Sequence, residues 1–188
     1  MLTCYLLAVA LAAGCQGSSQ EESAAASQPL PGVEVHAQGK LVARVVPGHP
    51  CRATVEGAEL TVGGPPLLSQ VGDVTWKGED RGDGTMLERD DAPVAQIRAS
   101  AESLSLFAPE GFALFRATLA ADGARVIGRD GAVARIAKRT ATGIRVDDQV
   151  VTGTDDLLLA ALLTAPEAGP DVRALAACHR LLSIGKAL

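Results

Sequence analysis

Apolar and polar residues alternate in short runs over residues 40–152, and Gly, Pro and Asp cut the runs apart. Alternation with a period of two sends successive side chains to opposite faces of a strand. Candidate strands therefore fall at 41–46, 52–55, 59–62, 67–71, 74–77, 85–88, 93–98, 104–107, 113–118, 124–127, 132–138, 144–146 and 150–152. The turns between them include Glu56-Gly57, Gly63-Gly64, Asp83-Gly84, Glu110-Gly111, Asp122-Gly123, Asp130-Gly131 and Thr142-Gly143. Asp-Gly between alternating runs predicts a tight hairpin in which both central residues take positive φ. Strands spaced this closely predict an antiparallel barrel or sandwich, not alternating β and α units.

A weak internal repeat runs through this region. The segment at 39–45 (GKLVARV) is echoed at 91–97 (DAPVAQI), at 111–117 (GFALFRA) and, one residue shorter, at 131–136 (GAVARI). Each copy leaves a turn residue and alternates into a strand, which a series of hairpins explains without any function. After Gly153 the pattern changes. Residues 157–163 are apolar throughout, so they predict a helix buried on all sides, with Thr154 as cap and Asp155 and Asp156 in its first turn. Pro166, Gly169 and Pro170 end it, and residues 171–182 follow as an amphipathic helix. The fold class is mainly β: an antiparallel barrel or meander of about twelve short strands, with a buried apolar helix and a second amphipathic helix. A β-sandwich packed by two helices is the alternative.

About twelve short strands followed by an all-apolar helix resembles the tubby C-terminal-like group, which includes the LURP-one-like and scramblase-like proteins. The strands at 39–45 and 131–136 are similar to strands of those families. The resemblance spans roughly residues 40–163 and implies a twelve-stranded barrel enclosing a hydrophobic helix. The basic residues that bind phosphoinositides in tubby proteins do not map onto this sequence.

The first fifteen residues, MLTCYLLAVALAAGC, carry an apolar stretch of signal-peptide length, small residues at Ala12, Ala13 and Gly14, and then Cys15. This resembles the lipobox of bacterial lipoproteins, which implies that Cys15 is lipidated and becomes the mature N-terminus. Leu11 sits one place earlier than in the commonest pattern, and no Lys or Arg precedes Lys40. A plain secretory signal and a buried apolar helix are the alternatives. Residues 16–31 are rich in Ser, Gln, Ala, Glu and Pro, a composition that cannot offset its ordering entropy. The expected organisation is a signal peptide at 1–14, a lipidated Cys15 with a flexible tether at 15–39, and one β-rich domain at 40–188. The expected location is the bacterial cell envelope, lipid-anchored at the outer membrane and facing periplasm or surface. The partners are the membrane through Cys15, and an envelope protein or anionic lipid.

Of four cysteines, Cys51 and Cys178 remain in the body. In an oxidising compartment they suggest a disulfide. Buried free thiols are the alternative, and a third reading adds His49 and His179 to make a four-ligand metal set for a metal-dependent hydrolase. That set lacks the spacing of structural zinc sites. No other catalytic motif is present, so no enzyme activity and no cofactor are expected.

Charge changes the picture locally. The chain is −5 overall with a pI near 5.2, which argues against nucleic acid as a partner. Yet residues 116–145 hold seven bases against two acids, and residues 73–91 hold seven acids against three bases. Arg125, Arg129, Arg135, Lys138 and Arg139 form a candidate anion-binding set, with Arg135 and Arg139 on one strand face. Solvated outward faces are the plainer explanation. Aromatic content of only 3% predicts a core of Ala, Val, Leu and Ile. Trp76 is either a surface contact or a core residue. The tripeptide Arg81-Gly82-Asp83 fits a hairpin turn better than an adhesion motif.

Overall fold

A sheet leaves bare hydrogen-bonding edges unless it closes on itself. The computed structural model describes residues 31–64, 66–71 and 73–184, and in it fourteen antiparallel strands form one nearly closed barrel. They are β1 (Val33–Ala37), β2 (Lys40–Val46), β3 (Cys51–Val55), β4 (Ala58–Val62), β5 (Leu67–Val71), β6 (Val74–Asp80), β7 (Thr85–Arg89), β8 (Ala92–Ala99), β9 (Ser103–Phe107), β10 (Ala113–Ala120), β11 (Gly123–Ile127), β12 (Val133–Thr140), β13 (Gly143–Val146) and β14 (Gln149–Thr152). Each strand pairs with its neighbours in sequence except β4 and β5, and β14 pairs with β1. The seam lies between β4 and β5, where the Gly63 amide donates to the Leu68 carbonyl at 2.7 Å. The sandwich alternative is overturned, because one continuous ladder replaces two facing sheets.

All thirteen predicted strands are present, and β1 was the one missed. The tether expected to reach residue 39 stops short of it. Val33 and Val35 face the core, while Glu34 and His36 are only partly covered, so four residues of alternation suffice for a strand when β2 and β14 flank them.

Two rims follow from the meander. The chain enters β1 at Val33 on the proximal rim, and the β1–β2 turn lies on the distal rim. At the distal rim, Gln38-Gly39, Glu56-Gly57 and Asp90-Asp91 turn with positive φ at both residues. The Asp-Gly pairs do not, since Asp83, Asp122 and Asp130 lack positive φ. Their reason is different at the proximal rim: a Cβ at Gly84 or Gly123 would stand 2.3 Å from the carbonyl oxygen of Ile97 or Ala137 on the neighbouring strand. Close backbone approach, not turn type, demands glycine there.

Inward positions are apolar, among them Val45, Val55, Leu87, Leu104, Leu106, Ala117, Val126 and Ile144. Outward positions include Arg52, Glu59, Lys77, Arg98, Arg116, Arg125 and Arg145. That polarity is the reverse of a membrane-spanning barrel, whose outside is apolar. No helix among the described residues is long and apolar enough to cross a membrane.

Eight strands enclose about as much space as side chains can fill, and fourteen enclose more. Two helices take up the excess: α1 (Leu157–Leu163) and α2 (Pro170–Ile184). Every residue of α1 is buried, as its apolar composition predicts. It packs on β9–β13, while α2 packs on β2–β4 and β8. Two expectations about the helices need correction. Asp156, not Thr154, caps α1: its carboxylate accepts the amides of Leu158 and Leu159 at 3.0 and 3.1 Å, and Thr154 Oγ1 accepts the Asp156 amide. And α2 has no broad solvent face. Arg173 and Arg180 are buried with Val172, Leu175 and Leu182, because its polar side turns to the Leu163 carbonyl and Asp156 carboxylate of α1 and to Glu56 of the β3–β4 turn.

Candidate functional site

The predicted anion-binding set divides into two populations. Arg135 and Arg139 share the face of β12 that carries buried Ala137; Arg135 is half-buried against the plug, whereas Arg139 at the strand's end is exposed. Arg135 donates to the Thr164 carbonyl at 2.8 Å and to both oxygens of Glu167 at 2.6 Å. Arg139 donates to the Asp155 carbonyl at 3.0 Å. These two arginines grip the two ends of α1. A short helix leaves its last carbonyls without intrahelical partners, and a guanidinium supplies donors. Two further arginines, singled out by nothing in the sequence, do the same for α2. Arg180 pairs with Asp156 at 2.5 Å and reaches the Ser100 carbonyl, and Arg173 pairs with Glu56 at 2.7 Å and donates to the Leu163 carbonyl. Arg135, 12% exposed, is thus engaged by Glu167 and Thr164, while Arg139 stays exposed with one carbonyl contact.

The remaining three stay outside. Arg125 bonds Asp122 at 3.2 Å, and that bond, helped more weakly by Lys138, holds the Asp122 carboxyl below the usual aspartate range. Lys138 lies directly across from Arg145 on β13. Arg129 stands in the turn after β11, with its guanidinium 5.9 Å from the centre of the Phe112 ring.

The four nominated metal ligands do not form a set. Cys51 on β3 and Cys178 on α2 are joined by a disulfide, with Cα atoms 5.8 Å apart, and a bonded sulfur is not a thiolate ligand. His49 is exposed in the β2–β3 connection. His179 faces β7, where its Nε2 lies 3.0 Å from Thr85 Oγ1. Among the described residues no group of three or more His, Cys, Asp or Glu is placed to hold a metal ion. Trp76 is a core residue at 4% exposure, with Arg89 over its ring. Asp83 is bound by Arg98 and Gln96 at 2.7 Å each, and Arg81 by Glu79 and Glu88, so the tripeptide is tied into the sheet. Cys15 lies outside the described residues.

Two of the cavities at the rims combine polar and apolar side chains around a helix end or a strand gap. The proximal one, of about 440 Å³, lies between the end of α2 and β5–β7, and is lined by Leu67, Asp80, Thr85, His179 and Leu182. The distal one, of about 600 Å³, lies between β10 and β11 and is lined by Phe112, Arg116, Ile127, Arg129 and Glu167. Of the distal residues only Arg129 was nominated from sequence. The signal that marks the others is a register, not a motif: β10 runs on past the point where its pairing with β11 ends. No protein family matches this chain, no curated protein sequence matches it, and no solved structure matches its fold.

Proposed function

We propose that this chain is an envelope lipoprotein, anchored through lipid at Cys15, whose β-rich domain binds or scaffolds a partner without catalysis. The observation that carries the domain's part is the filled lumen: α1 and α2 occupy the space in which a barrel would carry a small ligand, which leaves contact to the rims and the outer wall. The Cys51–Cys178 disulfide supports export, because such bonds persist in oxidising compartments. A helix inside a barrel is what the tubby C-terminal-like resemblance leads one to expect, although fourteen strands exceed its twelve. Mass spectrometry of the membrane fraction tests the anchor. The expected N-terminal peptide begins at an acylated Cys15, and Cys15→Ser leaves the chain unprocessed; an intact, unmodified segment 1–15 at the N-terminus overturns it.

Lipid or polyanion binding along residues 116–145 is the second reading. It is favoured by the like charges of Lys138 and Arg145 facing each other across β12 and β13, a pairing that a bound anion relieves. Its test is vesicle binding by the Lys138→Gln and Arg145→Gln variants. Vesicle binding that ignores both substitutions removes it.

A further inference from the structure

Registered pairing between β10 and β11 ends at Ala117 and Val126, although β10 extends back to Ala113. The strands part there, and the distal cleft fills the space. Register shifts bracket it, one between Ala113 and Phe115 against β9 and one between Val126 and Ile127 against β12. Each lip carries a guanidinium, Arg116 on β10 and Arg129 in the turn after β11. Beneath Arg129 lies Phe112, 50% exposed in a chain poor in aromatics. The one carboxylate in the lining, Glu167, is already neutralised by Arg135. Asp130, beside Arg129, turns its carboxylate to the Ala132 amide of its own turn at 3.0 Å. The cleft therefore keeps a positive excess above apolar side chains.

We infer that this cleft binds an oxyanion, a carboxylate or phosphate, carried on a short apolar body. Two guanidinium groups offer charge-assisted hydrogen bonds to such a group, and Phe112 and Ile127 take the apolar part. The volume of about 600 Å³ lies within the range of small-molecule sites. A free anion and a membrane headgroup share this chemistry, and sedimentation with vesicles separates the two, a free ligand being the expected outcome. The inference rests on the reading of the barrel as a binding domain, not on the anchor.

Isothermal titration of the full chain carrying Cys15→Ser reads this directly, with octanoate and octyl phosphate as probes and octan-1-ol and octylammonium as controls. The two anions bind, the controls bind at least about tenfold more weakly, and Arg116→Gln with Arg129→Gln weakens the anions about tenfold or more. Arg125→Gln leaves them unchanged. Both cleft arginines are exposed, so their loss spares the fold; Phe112→Ser, which keeps the charge, lowers affinity for the octyl chain. Absence of anion binding, equal binding of octan-1-ol, or indifference to the double substitution overturns the site. Sedimentation of the same chain with vesicles containing anionic phospholipid is expected to show no pelleting that depends on Arg116 and Arg129; such pelleting overturns the free ligand. Failure of Cys15 acylation would leave these titrations intact, and failure of the titrations would leave the acylated peptide intact, so the two readings fall separately.

Discussion

One carboxylate at Asp156 serves both helices. It caps α1 through the Leu158 and Leu159 amides, and it accepts Arg180 of α2 on both oxygens. Its side chain is 17% exposed and that of Arg180 is 9% exposed, so water cannot replace either partner fully. Arg180→Met is expected to lower unfolding stability by about 3 kcal/mol or more, the range for removing one member of a buried pair. Arg173→Met leaves Glu56 53% exposed and should cost clearly less. Urea unfolding of both variants checks this, and equal losses would show that the uncovered Asp156 charge is not the source. A second residue-scale prediction concerns Asp122, whose carboxyl is held down chiefly by its hydrogen bond to Arg125. A depressed carboxyl contributes stability above its unfolded pKa, and loses it as pH falls through the folded value. In a carboxyl-carbon NMR titration, Asp122 should titrate below the ordinary 3.8, and Arg125→Gln should raise its midpoint; an unmoved midpoint denies the bond.

Strands were the most legible elements, because period-two alternation survives wherever one face is buried. The weak repeat turns out to be a record of local geometry. Its four copies are β2, β8, β10 and β12, each leaving a distal turn through a residue with positive φ: Gly39, Asp91, Gly111 and Gly131. Each of these strands also shows a register shift against the strand before it. Repeated sequence here encodes a repeated irregular hairpin, with the extra twist a curled sheet needs. The face of β12 was less legible. Ala134 and Ile136 on one side and Ala137 on the other are all apolar, so alternation alone does not choose. Packing against α1 chooses Ala137, and Arg135 goes inward with it while Arg139, at the strand's end, stays exposed. The distal cleft was illegible for a related reason: Phe112, Arg116 and Glu167 meet only because the β10–β11 ladder stops early, and no residue pattern announces where a ladder stops. Close approach, by contrast, leaves glycine as its mark. Gly123→Ala would put Cβ 2.3 Å from the Ala137 oxygen, at a φ of 142°. A loss of about 2 kcal/mol or more is expected in thermal or urea unfolding. A loss near that of an ordinary surface change would mean that β11 and β12 yield easily at this end.

At the scale of the molecule, one number organises the rest. An antiparallel ring closes only with an even number of strands, and without β1 the strands β2 and β14 would meet running the same way. The short alternation at Val33–Ala37 thus decides whether the sheet can close. Closure at fourteen then creates a lumen too wide for side chains, and the plug becomes a requirement of the fold. The four arginine grips hold that plug at its ends, and the disulfide fastens its second helix to β3. Cys51 and Cys178 stand 127 residues apart, so the bond spans most of the barrel's circumference in sequence. Constraint on the unfolded chain by so long a loop is worth roughly 3 to 5 kcal/mol. Reduction, or paired Cys51→Ala and Cys178→Ala, should therefore lower the urea midpoint by that much stability while the barrel persists, since Val35, Val45, Leu104 and α1 still fill the core. Far-UV circular dichroism that keeps its β signature through the shifted transition is the expected result. Collapse of that signature on reduction alone would mean that the bond, and not the packing of helices against wall, holds the plug in place.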